Sequence, residues 1–117
     1  MRKIITLNLF KKNRLEQEYK DISAIVKDDS IVFKLDNVKT SINDKTFTRE
    51  TAEYKFELNI KERKATYLLK EKNMLFDIDV EKISYKKDNN VIVLEYKLST
   101  DEEKFKIEIN IKGEINE

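Results

Sequence analysis

The chain has 117 residues, 40% of them charged, yet 24 Lys and Arg against 23 Asp and Glu leave a net charge of only +1. The length suits one domain spanning 1–117. It has no Cys, His, Pro or Trp and one glycine, Gly113. That excludes disulfides, thiolate or imidazole metal sites, Ser-His-Asp triads and the glycine-rich loops that cradle phosphate.

From the N-terminus the dominant pattern is period two. Ile5, Leu7 and Leu9 alternate with Thr6 and Asn8. The stretch Ile4 to Phe10 is short, is broken by polar residues and runs into Lys11-Lys12, so it reads as a strand rather than a signal peptide. Residues 15–26 carry two periods at once. Leu15, Tyr19, Ile22 and Val26 have helical spacing, while Ile22, Ala24 and Val26 have strand spacing. Periodicity leaves both open; the lack of a clear N-cap and the β-rich surroundings favour strand.

Alternation then returns at Ile31, Phe33 and Leu35; at Tyr54, Phe56, Leu58 and Ile60; at Phe76, Ile78 and Val80; at Ile92, Leu94, Tyr96 and Leu98; and at Phe105, Ile107, Ile109 and Ile111. Each run has one apolar and one polar face, the signature of antiparallel sheet with one face on a core. Polar clusters such as Lys27-Asp28-Asp29-Ser30, Asn43-Asp44-Lys45, Lys72-Asn73 and Asp88-Asn89-Asn90 separate them. With so little glycine, Asn and Asp are expected at turn positions that need positive φ. The pattern predicts an all-β fold of about eight to nine strands, and closure into a single antiparallel barrel would remove the sheet's exposed edges. No segment approaches the roughly 20 apolar residues of a membrane span, so the expected compartment is the cytoplasm, with no membrane partner.

Candidate chemistry is sparse. Asp77, Asp79 and Glu81 share one strand face and could hold a hard cation, but alternate strand side chains stand roughly 6–7 Å apart and a solvated row paired to lysines fits better. The basic pairs Lys11-Lys12 and Lys86-Lys87 are diluted by acidic neighbours, and the small net charge argues against nucleic-acid binding. Arg49, in a Thr-rich strand, would need an acidic partner or an anionic ligand if it pointed inward and nothing if it pointed outward; its spacing alone favours outward. Tyr54, Tyr67, Tyr85 and Tyr96 fall in strands and either fill a core or line a pocket. Val91 and Val93 lie opposite Ile92, Leu94 and Tyr96, which raises the prospect of an outer face covered by a second subunit.

The order of segments resembles the YwiB-like family of small bacterial β-barrel proteins. The likeness rests on residues 27–36, on Phe47-Thr48-Arg49, on Ala65-Thr66-Tyr67 with Leu75, Phe76 and Ile78, and on residues 90–98 with the last strand. Asp29 or Ser30, Thr51 and Lys72-Asn73 stand where that family carries turn glycines. The resemblance implies a calycin-like, lipocalin-like barrel, assigns residues 15–26 to a strand, and draws attention to Arg49. It supplies no function. No cofactor is expected, and no catalytic constellation marks an enzyme: a carboxylate pair with separated pKa values could do acid–base work, but no spacing here requires it. The reading is a non-catalytic small-molecule-binding domain, with Arg49, Tyr54, Tyr67 and Tyr96 as ligand contacts. The alternative is an interaction protein with a packed core, acting as a homodimer or on another protein through the face around Val93.

Overall fold

Ten antiparallel strands follow one another in the computed structural model, which describes residues 2–114. They are β1 (Arg2–Lys11), β2 (Arg14–Lys27), β3 (Ser30–Leu35), β4 (Val38–Ile42), β5 (Thr46–Glu50), β6 (Tyr54–Asn59), β7 (Lys64–Leu69), β8 (Met74–Asp88), β9 (Val91–Leu98) and β10 (Phe105–Glu114). Each strand pairs with the next, and β1 pairs with β10, so the meander closes into a barrel. The extra strands beyond eight or nine come from turns with weak sequence signals, Lys12-Asn13 and Asp36-Asn37 among them.

Turn chemistry follows from the missing glycine. The residues at positive φ are Lys12, Asn13, Asp21, Asp28, Asp36, Asn37, Arg63, Asn73 and Asn89. All but Lys12 and Arg63 are Asn or Asp, whose short polar side chains tolerate this region. Thr51, at a turn without positive φ, works differently: its Oγ1 accepts from the N–H groups of Glu53 (3.1 Å) and Tyr54 (3.2 Å). Gly113 needs no such freedom, since its φ is not positive and a Cβ there would meet nothing within 4 Å.

The double periodicity of residues 15–26 resolves into one bulged strand. Against β1, Leu7 faces Tyr19 but Ile5 faces Ile22, so one β1 residue, Thr6, opposes both Lys20 and Asp21. Asp21 sits at φ 57° there. A second extra residue, Glu16, lies between Leu15 and Gln17 in the same ladder. The step of three from Tyr19 to Ile22 keeps both side chains facing inward and imitates helical spacing. A bulge at Glu81 does the same in β8, where Ile78 and Val80 face in before it and Ile83 and Tyr85 after it. Pairing between β2 and β3 is confined to Ala24–Lys27. Arg14 to Ser23 therefore run along β1 alone.

Inward side chains fill one end of the barrel and not the other. Ile5, Ile31, Ile42, Phe47, Leu58, Ile92, Leu94 and Ile109 are buried almost completely and form its floor. Each contributes roughly 1.5–3 kcal/mol by leaving water. The opposite end, ringed by the β1–β2, β3–β4, β5–β6, β7–β8 and β9–β10 turns, is open.

Two substitutions separate turn strain from strand packing. Asn89→Val places a β-branched residue at φ 50° and should lower unfolding stability by about 2 kcal/mol. Gly113→Ala should be neutral or stabilising by about 0.5 kcal/mol. Chemical denaturation of both variants checks this, and a tolerated valine would remove the turn argument.

Candidate functional site

The open end is organised around Arg49. β5 is held between β4 and β6, with Arg49 opposite Thr40 on one side and Phe56 on the other. Arg49 shares its strand face with Phe47, two residues earlier and 1% exposed, so it projects into the barrel. The outward orientation that its spacing favoured is thus corrected: the phase of Phe47 governs it. The turn immediately after is fixed by the Thr51 hydroxyl and by Lys70, whose Nζ donates to the Thr51 carbonyl and to Glu50 Oε2, each at 2.8 Å.

Three hollows at this end all have Arg49 in their walls. A cavity of about 130 Å³ runs between β1, β2 and the β3–β4 hairpin, lined by Leu7, Leu9, Gln17, Tyr19, Phe33, Leu35, Val38 and Phe47. A hollow of about 200 Å³ lies toward β1 and β10, beside Gln17, Tyr96 and Phe105. The widest, about 440 Å³, is bordered by Tyr54, Phe56, Tyr67, Ile78, Tyr96, Thr100, Asp101 and Phe105. The four residues singled out from the sequence, Arg49, Tyr54, Tyr67 and Tyr96, therefore come together on one cleft. The sequence reading missed Phe56, Phe105 and Gln17. Phe56 and Phe105 were visible as inward positions by alternation, whereas Gln17 is brought inward by the β2 bulges.

The cleft is aromatic. Tyr54 and Tyr67 stack with ring centres 5.2 Å apart and planes 16° from parallel. Tyr96 stacks on Phe105 at 5.7 Å and on Phe56 at 6.2 Å, and Phe47 lies 6.1 Å from Tyr96. Lys11 Nζ lies 5.8 Å from the Phe105 ring centre.

The charges divide sharply. At the rim, Glu50 is tied to Lys70, and Glu103 to Lys11 (3.3 Å) and Lys12 (3.6 Å). The hydrogen bond and charge of Lys70 hold the Glu50 carboxyl below its ordinary range. Among the described residues Arg49 makes no ion pair, and Asp101 borders the same cleft without reaching ion-pair distance. Burial pushes the Tyr96 phenol up to about 12, with Arg49 pulling it down and Asp101 and Tyr54 adding to the rise. At neutral pH Tyr96 is an uncharged hydrogen-bond donor.

Other candidates fall elsewhere. Tyr85 packs against the core, its hydroxyl buried with no hydrogen-bond partner. Asp77 and Asp79 are exposed, Glu81 pairs with Lys97, and among the described residues no group of three or more acidic side chains could hold a metal ion. Val91 and Val93 are half-buried on the outer face of β9, with Val93 opposite Lys86 and Glu108. The large exposed apolar side chains include Met74, Leu75 and Phe76 at the start of β8. Comparison with known proteins returns no matching family model, no curated relative and no solved structure of significant similarity.

The Tyr96 proton makes a pH prediction. An unfolded tyrosine titrates near 10.0 and the folded one near 12, so the folded chain keeps a proton that the unfolded chain releases. Its stabilising effect is complete below pH 10 and is lost as pH rises toward about 12. Denaturation measured across that range should show Tyr96→Phe losing stability less steeply than the parent chain. Equal slopes would mean that burial does not hold this proton.

Proposed function

We propose that the barrel is a non-catalytic binding domain for a small molecule, held at its open end with Arg49, Tyr54, Tyr67 and Tyr96 as polar contacts. The observation that carries this reading is Arg49 itself. A half-buried guanidinium turned into the open end of a barrel and left without an ion-pair partner presents its N–H donors to whatever occupies the hollows it lines. A packed, purely structural barrel has no use for it. Sites of this kind combine apolar walls with a few convergent polar groups, and the aromatic cleft falls in the usual range of roughly 300–1,000 Å³. The chemistry on offer is orientation and hydrogen bonding. We place the protein in the cytoplasm, beside the bacterial YwiB-like, calycin-like barrels that its segment order resembles. The homodimer reading has less behind it, since charged neighbours flank Val93 on both adjoining strands.

The absence of Trp gives a direct test. Ile78 is half-buried on the cleft wall, so Ile78→Trp both narrows the cleft and reports on it. A neutral solvatochromic dye, Nile red, should bind the parent chain saturably at about one per chain. It should bind Ile78→Trp several-fold more weakly while that variant keeps a cooperative thermal transition. Unsaturable dye binding, or unchanged affinity in a folded Ile78→Trp, would overturn the reading.

A further inference from the structure

We infer that the ligand is a planar aromatic carboxylate, its acid group on Arg49 and its ring among the cleft's tyrosines and phenylalanines. This rests on the binding reading above and goes further by naming a chemical class.

The charge comes first. The rim carboxylates Glu50 and Glu103 are already engaged by lysines. Arg49 is left as an uncompensated cation facing the interior. Its planar fork of N–H donors matches a carboxylate in bidentate fashion, and such charge-assisted pairs are worth about twice a neutral hydrogen bond. Tyr96, protonated at neutral pH, can only strengthen an anion's position by donating. Asp101, Asp36 and Glu16 border hollows that Arg49 also lines and are the competing carboxylates, and none of them comes within ion-pair reach of it.

The shape comes second. Two stacked pairs, Tyr54 with Tyr67 and Tyr96 with Phe105, border the same cleft from β6–β7 and β9–β10, with Ile78 of β8 between them. A flat π face on a ring gains attraction beyond simple burial, which an alkyl chain does not. The cavity on the other side of Arg49, which Tyr19, Phe33 and Phe47 also line, is about 130 Å³ and too small for the body of such a ligand.

Three probes separate charge from shape: 2-naphthoate, the neutral 2-naphthamide, and decanoate. Isothermal titration of the full chain at neutral pH should find naphthoate at least about tenfold tighter than naphthamide, the effect of one charge-assisted pair. It should also be several-fold tighter than decanoate. Arg49→Gln, confirmed folded by its thermal transition, should erase the difference between naphthoate and naphthamide, with the larger loss falling on naphthoate. Equal binding of naphthoate and naphthamide would overturn the anionic assignment, as would a difference that survives Arg49→Gln. Decanoate as tight as naphthoate would overturn the aromatic one. If Nile red binds saturably and naphthoate does not bind, the inference fails and the binding reading stands; if neither binds, both fail.

Discussion

Closure of the sheet is the constraint on which everything else depends. Pairing β1 with β10 joins the two ends of the meander and removes the open edges that these two strands would otherwise present, leaving the stretch from Arg14 to Ser23 paired on one side. Closure also sets the width. About eight strands make a ring that side chains can just fill; ten make a wider one. The chain fills one end with Ile, Leu and Phe and cannot fill the other with the residues it has. The hollows around Arg49 are thus a geometric consequence of ring size before they are anything functional.

What makes the open end chemically specific is the separation of charge. Outside, acids and bases pair across neighbouring strands and turns, as in Lys97 with Glu81 and Lys104 with Glu95. Such exposed pairs contribute little individually, and at the rim they engage Glu50 and Glu103. Inside, the hollows that Arg49 lines are walled mainly by rings and aliphatic side chains, with Gln17, Thr40, Asp36 and Asp101 among the polar ones. The aromatic residues keep the guanidinium accessible without neutralising it, since a ring face interacts with a cation but cannot replace a carboxylate.

Much of this was legible in the residue pattern. Alternation along Tyr54 to Ile60 and Ile92 to Leu98 marks inward positions correctly, and the demand for Asn and Asp at glycine-free turns is met at Asn37, Asn73 and Asn89. Bulges defeat the pattern. One extra residue in a ladder reverses which side chains face in, and the insertion at Asp21 leaves only a helix-like spacing of three to betray it. Arg49 shows a subtler failure. Its direction was readable from Phe47 two positions earlier, but a charged residue invites the assumption that it seeks water. The convergence of Arg49 with Tyr96 joins β5 to β9 across the barrel mouth, and local periodicity says nothing about contacts so distant in sequence.

The placement of Arg49 also bears on why the site belongs on β5. Glu50, the next residue, points the other way along the strand and is held by Lys70, which also grips the Thr51 carbonyl. The contacts that immobilise the strand end therefore lie on its outer side and in the turn, and none of them consumes the guanidinium. Successive residues of a strand face opposite sides of the sheet, so one charge stabilises the strand end while its neighbour faces the cleft. A strand turned inward at its rim is an economical way to hold an unpaired cation beside rings, and the rigidity of the flanking ladders, Thr40 on one side and Phe56 on the other, keeps it aimed at the cleft.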